Sequence, residues 1–360
     1  MKSTEQASNP EFNVRMPAEW SEHSGTMLIW PHNRETWPGE RLNRVEAVYR
    51  ILIRTLLKYE PVLLFVNDES VKHRALDKLG DTDSLPHLLK IITAPVNDVW
   101  ARDSGPIFVK NLDNGRYTIT DWKFNSWGGK YPPWSDDNRL PKKISDHFKV
   151  PSAQTGMVLE GGSIATNGEG LFLTTESVLL TPNRNPKMSR LEIEKVLAKY
   201  LGAEKVIWLK RGLKGDDTDG HIDDLTRFVN KNTVITAVTS DKKNPNYNIL
   251  RENLEILENS SDQKGEPLHI IPVPLPDTFS DAPTVDGSDH VPSSYANFYI
   301  TNGAVLLPLY DESTDQQQLD LFSVLFPDRV IEGIPCKDLV WGQGSIHCVT
   351  QQLYGISFTS

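Results

Sequence analysis

The chain has 360 residues, 38% hydrophobic and 24% charged, with a formal net charge of −10. That balance describes a folded globular protein of one large or two ordinary domains, and it excludes a fibrous or low-complexity chain. The negative charge and the lack of any basic run argue against nucleic acid as a partner. Apolar runs such as VLLFV at 62–66 are too short to span a bilayer. The opening MKSTEQASNPEF lacks the apolar segment of a secretory signal. Two cysteines, Cys336 and Cys348, do not make a disulfide framework, so reduced thiols in a cytoplasm are the simplest reading.

Residues 40–58 place apolar side chains at 42, 45, 48, 49, 52, 53, 56 and 57, the spacing of an amphipathic helix. PVLLFV at 61–66 reads as a buried strand. Two β-rich runs around Asn114-Gly115 predict a hairpin over 107–124, and the form recurs at 158–175 around Asn167-Gly168. SRLEIEKVLAKYLG at 189–202 predicts a helix, with Ser189 and Glu192 at capping-box spacing and Gly202 as its C-cap. A strand at 205–209, a hairpin at 225–238, a helix at 246–259 and an extended run at 269–276 follow. Then come a hairpin at 297–310 about Asn302-Gly303, a helix at 314–327 and a strand at 329–334. Strand, hairpin and helix thus recur about every sixty or seventy residues, which predicts repeated α/β units packed into one body. No linker divides them, so 1–360 is expected to be a single catalytic domain with a flexible start at 1–12. The stretches 124–156 and 276–296, rich in Pro, Ser and Asp, are expected to be long loops lining a binding site.

Four segments concentrate reactive residues. NDVWARDSGPIFV (97–109) sets Asn97, Asp98, Arg102 and Asp103 ahead of a strand. LEGGSIATNGEG (159–170) puts Glu160 in an otherwise apolar strand beside two glycines. GDDTDGHIDD (215–224) crowds five aspartates around His221, and GQGSIHC (342–348) ends on a histidine-cysteine pair. Each has an ordinary reading. Charges beside a turn are mostly solvated, Asp-rich loops bond their own backbone amides, and a free cysteine is usually a small buried hydrophobe. A calcium loop with its glycine at Gly220 would run from Gly215 to Thr226, neither of which offers the required carboxylate. A zinc set of His221, Asp223 and Cys348 lacks a second nearby histidine or a CxxC pair, so no metal is expected.

The four make better sense together. A thiolate nucleophile needs a cationic or acid–base neighbour, which His221 supplies if the fold brings it to Cys348. Carboxylates in a dry pocket are costly unless a cation neutralises them. A planar guanidinium matches paired carboxylates through bidentate hydrogen bonds. These residue types therefore predict a guanidine attacked at its central carbon.

MPAEW (16–20), WPHNRETWPG (30–39), NDVWARDSGP, LEGGS, TPNRNP (181–186), DDTDGHID, NFYITNGAVLLP and FPDR (326–329) occur in that order. The set resembles the agmatine deiminases, a branch of the guanidino-group-modifying superfamily that includes bacterial peptidylarginine deiminase and arginine deiminase. The resemblance implies a five-fold pseudo-symmetric α/β propeller, the pentein fold, built from ββαβ-type units around a central site. It implies Cys348 as nucleophile, His221 as general acid and base, Asp223 and Asp103 as guanidinium clamps, and Glu160 as a support beside His221. Asp217 falls where the family recognises the amine end of agmatine. Asn97 and Trp100 are read as substrate-facing, with Trp100 and the aromatics of 122–134 covering the alkyl chain. The family's usual turn, GGGNIHC, here carries Gln343 and Ser345 in place of Gly and Asn. His347, next to the nucleophile on an extended segment, is expected to point the other way and be structural, as is Cys336.

The implied reaction is hydrolysis of agmatine to N-carbamoylputrescine and ammonia through an S-amidino adduct on Cys348, without metal or cofactor, in the supply of putrescine. Free arginine, or arginine at a peptide C-terminus, is the alternative substrate. A non-catalytic binder on the same propeller is the alternative class. The expected partner is a small cationic guanidine, and a homo-oligomer is left open.

Overall fold

The computed structural model describes residues 13–276, 284, 287–288 and 290–358. The expected flexible start at 1–12 lies outside them, as do 277–283, 285–286 and 289 of the second expected loop.

Five small sheets share one wiring, in which an antiparallel pair leads through a helix to a third strand parallel to the second. The first unit is Ile107–Asn111, Tyr117–Lys123, the helix Leu140–Phe148 and Ser152–Val158. The second is Ala165–Thr166, Leu171–Thr175, the helix Arg190–Leu201 and Lys205–Leu209. The third is Thr226–Asn230, Thr233–Val238, the helix Tyr247–Glu258 and His269–Pro274. The fourth is Tyr299–Ile300, Ala304–Leu309, the helix Glu312–Leu325 and Val330–Pro335. Distant segments make the fifth: Gln351–Leu353 pairs antiparallel with Gly25–Ile29, and the helix Arg41–Leu56 leads on to the parallel strand Val62–Val66. A further helix, Glu69–Leu79, and a parallel strand, Leu89–Thr93, extend that sheet.

The packing explains the sequence pattern. Val62–Val66 is buried at every position between two parallel neighbours, so it reads as an unbroken apolar run. The helix Arg41–Leu56 buries Leu42, Val45, Val48, Tyr49, Leu52, Ile53 and Leu56 on one face. Each such aliphatic side chain removed from water contributes about 1.5–3 kcal/mol. Both ends of the helix Arg190–Leu201 form as expected. Ser189 and Glu192 make the reciprocal capping box, and Gly202 closes the helix at φ +74°.

The structure departs from the expected elements in several places. The stretch 124–156 is not one loop: it holds the helix Leu140–Phe148 and the strand Ser152–Val158, with Pro141 in the first helical turn, where its missing N–H costs nothing. The hairpin at 158–175 shrinks to Ala165–Thr166 against Leu171–Thr175. Glu160 therefore lies outside any strand, in extended backbone before the short helical turn Gly161–Ser163.

That turn belongs to a second repeat. A short helical turn precedes the first strand of four units: Ala101–Ser104, Gly161–Ser163, Ile222–Asp224 and Tyr295–Asn297. Before Gln351–Leu353 the corresponding turn carries Cys348. The turns touch in a closed ring. Gly162 N donates to Asp103 Oδ1 at 3.0 Å, and the turns around Gly162 and Asp223 pack together. Asn297 Nδ2 donates to Asp224 Oδ1 at 2.8 Å. His347 N donates to Asn297 O at 3.2 Å, and Arg102 N to Cys348 O at 3.1 Å. Among the described residues no helix is long and apolar enough to cross a membrane.

Candidate active site

The ring of turns brings Asp103, Glu160, His221, Asp223 and Cys348 together from three units and the closing turn. His221 Nδ1 lies 3.6 Å from Asp103 Oδ1 and 4.0 Å from Asp223 Oδ1. Cys348 Sγ lies 3.7 Å from Asp223 Oδ2 and accepts from Asn297 Nδ2 at 3.2 Å. Gly162 sits among them. A methyl on its Cα would meet His221 Nδ1 at 2.6 Å, Asp103 Oδ1 at 2.8 Å and Asp223 Oδ2 at 3.0 Å. The two glycines of LEGGS are thus a matter of space rather than of backbone handedness.

A cavity of about 660 Å³ opens onto this centre. Cys348 and Asp103 reach its wall, together with Trp100, Trp127, Asn97 and Asp217. Trp100 packs against Trp37 at 5.9 Å and edge-on to Trp127 at 6.2 Å. Asp217 Oδ2 accepts from Tyr131 OH at 2.6 Å. Asn97 spends its side-chain carbonyl on the amides of Asp136 (2.9 Å) and Asp137 (3.2 Å), so it also braces the wall.

Charge is distributed unequally. Burial pushes the Asp103 carboxyl up to about 6, with His221 opposing and Asp223 and Glu160 adding to the rise. Burial also works against charge on Asp223, but the His347 hydrogen bond and the charges of His221 and Arg227 hold it below the usual carboxylate range. Burial pulls His221 down; Asp103, Asp223, Glu160 and Asp216 outweigh it and raise the imidazole. Burial and the carboxylates of Asp223, Asp224 and Asp103 push the Cys348 thiol well up. Four buried polar atoms here have no hydrogen-bond partner among the described residues: His221 Nε2, Asp223 Oδ1, Glu160 Oε2 and Arg102 Nη2. Buried polar atoms are almost always paired, so such a cluster marks a place shaped for something polar.

Not every carboxylate waits for a ligand. Arg184 Nε donates to Glu160 Oε1 at 2.6 Å, and its Nη1 reaches Asp219 Oδ2 at 2.8 Å. Glu160 therefore acts on His221 through its charge, while its direct partner is Arg184. Both side chains of that pair are fully buried. Removing the guanidinium leaves an uncompensated buried charge, so Arg184→Met is expected to lower the free energy of unfolding by about 3–5 kcal/mol. Urea unfolding reads this, and adding Glu160→Gln to Arg184→Met should restore part of the loss. No loss in the single variant would show the pair to be dispensable.

Among the described residues the grouping of possible metal ligands differs from His221, Asp223 and Cys348. It consists of Asp223, Asp224 and Cys348, whose donor atoms lie within 4.8 Å of one another, and it does not include His221. Asn297 Nδ2 donates to both Cys348 Sγ and Asp224 Oδ1, which puts an amide where an ion would sit. His347 and Cys348 occupy a turn, not an extended segment. Both cysteines are buried thiols.

Asn297 and Trp127 were not singled out from the sequence. Spacing was a usable signal for the first. Asp103 to Gly162 is 59 residues, but Asp223 to Cys348 is 125. A repeat near sixty predicts one more contribution between them, and Asn297, 51 residues before Cys348, supplies it. For Trp127 the signal was the glycine pair after it. Ser126, Trp127, Gly128 and Gly129 all take positive φ, and this left-handed turn aims the indole N–H at Asp103 Oδ2, 3.0 Å away.

Five ββαβ sheets, with Cys348 and Asp103 at one cavity and His221 and Asp223 packed directly behind them, define a mixed α/β enzyme. The chain belongs to the Porphyromonas-type peptidyl-arginine deiminase family, whose match covers residues 15–353. A curated Legionella pneumophila relative, provisionally named agmatine deiminase, is 37% identical over 348 residues, 95% of each chain. The agmatine deiminase of Enterococcus faecalis superposes with a TM-score of 0.86 at 32% identity, covering 95% of this chain and 96% of that one. A substrate-bound Cys-to-Ser agmatine deiminase of C. jejuni gives 0.84 at 29% identity, covering 95% and 97%.

Proposed function

We propose that this chain hydrolyses agmatine to N-carbamoylputrescine and ammonia, with Cys348 as nucleophile. The observation that carries the reading is a buried thiol ringed by Asp103, Asp223 and Asp224 at the floor of a cavity whose wall offers tryptophans and a further carboxylate, Asp217. Such a site fits an elongated dication with a planar end.

Asp103 and Asp223 hold the guanidinium, and its positive charge relieves the repulsion that keeps Cys348 protonated. The thiol proton passes to His221, and sulfur attacks the guanidinium carbon. His221 protonates one nitrogen, the C–N bond breaks, and ammonia leaves an S-amidino adduct. Water then gives a proton to His221 and bonds to the same carbon. The C–S bond breaks, His221 returns its proton to the sulfur of Cys348, and the oxygen of the new ureido group loses its proton to solvent. This chemistry uses no metal or organic cofactor. In this reading the five units surround the site as a five-fold pseudo-symmetric α/β propeller forming one catalytic domain; the closed ring of turns supports it.

The test is ammonia and N-carbamoylputrescine formation from agmatine, beside free arginine and a peptide ending in arginine. Lys130 in the wall is paired with Asp219 at 2.7 Å, but Arg34 lines the same cavity, so the α-carboxylate of arginine is a fair competitor. Turnover mainly of arginine or of the peptide would keep the chemistry and overturn the substrate.

A pH dependence follows from the two carboxylates. As pH falls through about 6, Asp103 takes up a proton and ceases to attract a cation. The expected result is a kcat/KM for agmatine that falls below about pH 6. Cys348 is also expected to be alkylated faster by chloroacetamidine, an amidinium cation, than by neutral chloroacetamide. Equal rates with the two reagents would show that the carboxylates do not steer cations to the thiol.

A further inference from the structure

Two segments far apart in sequence meet behind the site. Glu19 lies in the MPAEW stretch, and His347 lies 328 residues further on; His347 Nε2 is 3.0 Å from Glu19 Oε1. The other ring nitrogen, Nδ1, is 2.7 Å from Asp223 Oδ2. The side chains of His347 and Asp223 are 1% and 0% exposed. Glu19 is held in turn by Arg227 Nη2 at 2.5 Å and by Gln352 Nε2 at 3.3 Å. Arg227 is itself anchored on the carbonyls of Ala296 and Phe298. Glu19 and His347 lie behind Asp223, on the side of its Oδ2, and not among the residues that line the cavity.

We propose that His347, oriented by Glu19, is the positioning residue of the guanidinium clamp, holding the Asp223 carboxylate in the one orientation that leaves its Oδ1 for the substrate. The role rests on the reaction proposed above. The geometry is a relay, carboxylate to imidazole to carboxylate, aimed at the clamp rather than at the nucleophile. Oδ2 of Asp223 is taken by the ring, while Oδ1 has no partner among the described residues and faces His221. Asp103 is held differently: its two oxygens accept from neutral donors, Gly162 N and Trp127 Nε1. Both clamps face His221, but only Asp223 has a second ionisable ring hydrogen-bonded to it from behind.

Proton accounting gives the relay its consequence. An imidazole hydrogen-bonded to two ionised carboxylates needs an N–H on each side. Burial, Arg102 and Arg227 oppose that second proton and outweigh Glu19 and Asp223, so the ring is held below the ordinary imidazole range and the relay stands on its two short contacts rather than on a fixed positive charge. On the far side of Asp223 lie His221, Asp224 and Cys348, with Asp103 and Asp216 beyond. If the ring is lost, Asp223 keeps its burial and its acidic neighbours and loses its strongest support, so it binds a proton at higher pH.

The test compares His347→Asn, His347→Leu and Glu19→Gln with wild type as full-length proteins. An asparagine amide nitrogen falls near the Nδ1 position and keeps a donor on Asp223; leucine removes both bonds. Two rates are read across pH: kcat/KM for agmatine, and alkylation of Cys348 by chloroacetamidine. The second needs the clamp but not agmatine, so it decides this role even if agmatine proves to be the wrong substrate. His347→Leu is expected to lose about 10- to 100-fold in both rates, the worth of a charge-assisted hydrogen bond. Its acid limb should rise by about one pH unit and steepen, as Asp223 joins Asp103 in titrating there. His347→Asn should recover most of the rate, and Glu19→Gln should fall between. Wild-type rates in His347→Leu would overturn the proposal. So would an equal loss in the Leu and Asn variants with an unmoved acid limb, the mark of a packing defect. Should His347→Leu fail to fold, an unmoved acid limb in Glu19→Gln overturns it.

Discussion

Changing Cys348 to alanine is expected to lower agmatine turnover by at least about 10⁴-fold while leaving agmatine binding within about tenfold of wild type. The two halves of that result come from different parts of the site. In the proposed reaction the thiol is the attacking group, and Cys336 is absent from the cavity wall. In the same proposal the attraction for a cation resides in Asp103 and Asp223, which this substitution leaves in place. Removing the thiol also relieves none of the carboxylate repulsion, so the empty site stays hungry for positive charge. Single-turnover ammonia release reads the first half and calorimetry the second. Residual turnover above about 1% of wild type would mean that water attacks the guanidinium directly and that Cys348 only shapes the floor.

Gly162→Ala is expected to cost about 100-fold or more in kcat/KM, although it adds one methyl and touches no reacting atom. That methyl would lie 2.6–3.0 Å from His221, Asp103 and Asp223 at once. None can yield alone, since Asp103 is tied to Gly162 N and Trp127, and Asp223 to His347. A displacement of well under 1 Å in a positioned catalytic group costs orders of magnitude in rate. Chloroacetamidine labelling of Cys348 should slow in parallel, because the clamps that recruit the amidinium move. Wild-type kinetics in Gly162→Ala would show that the three groups have slack and that their close approach is not functional.

The parts of the fold that were legible in the sequence are those whose determinants are local. Ser189, Glu192 and Gly202 define one helix within its own segment, and Asn114-Gly115 and Asn302-Gly303 each turn a hairpin. Gly25–Ile29 passed unread because GTMLI is buried on both faces and has no alternation to betray a strand. Leu89–Thr93 and the helix Glu69–Leu79 passed for lack of a strong apolar stripe. The site divides in the same way. Cys348, His221 and the aspartates stood out as residue types, and the family resemblance lent them roles. What linear order hides is who faces whom. Glu160 lies against Arg184 rather than water, and Glu19 meets His347 across 328 residues. The left-handed turn that aims Trp127 needs its backbone angles to be seen at all.

The pairing of Gln351–Leu353 with Gly25–Ile29 has a consequence for how the molecule comes into being. The three strands and helix of every other unit come from neighbouring residues, with Val14–Arg15 added to the edge of the first sheet, and can condense as they leave the ribosome. The fifth must wait for its partner strand, a contact of very long sequence separation and correspondingly slow to form. Cys348 rides into place only three residues ahead of that strand, so the thiol meets its carboxylates at the final docking step. Until then the growing polypeptide carries an ordinary cysteine, and the chemistry switches on only when the ring is shut.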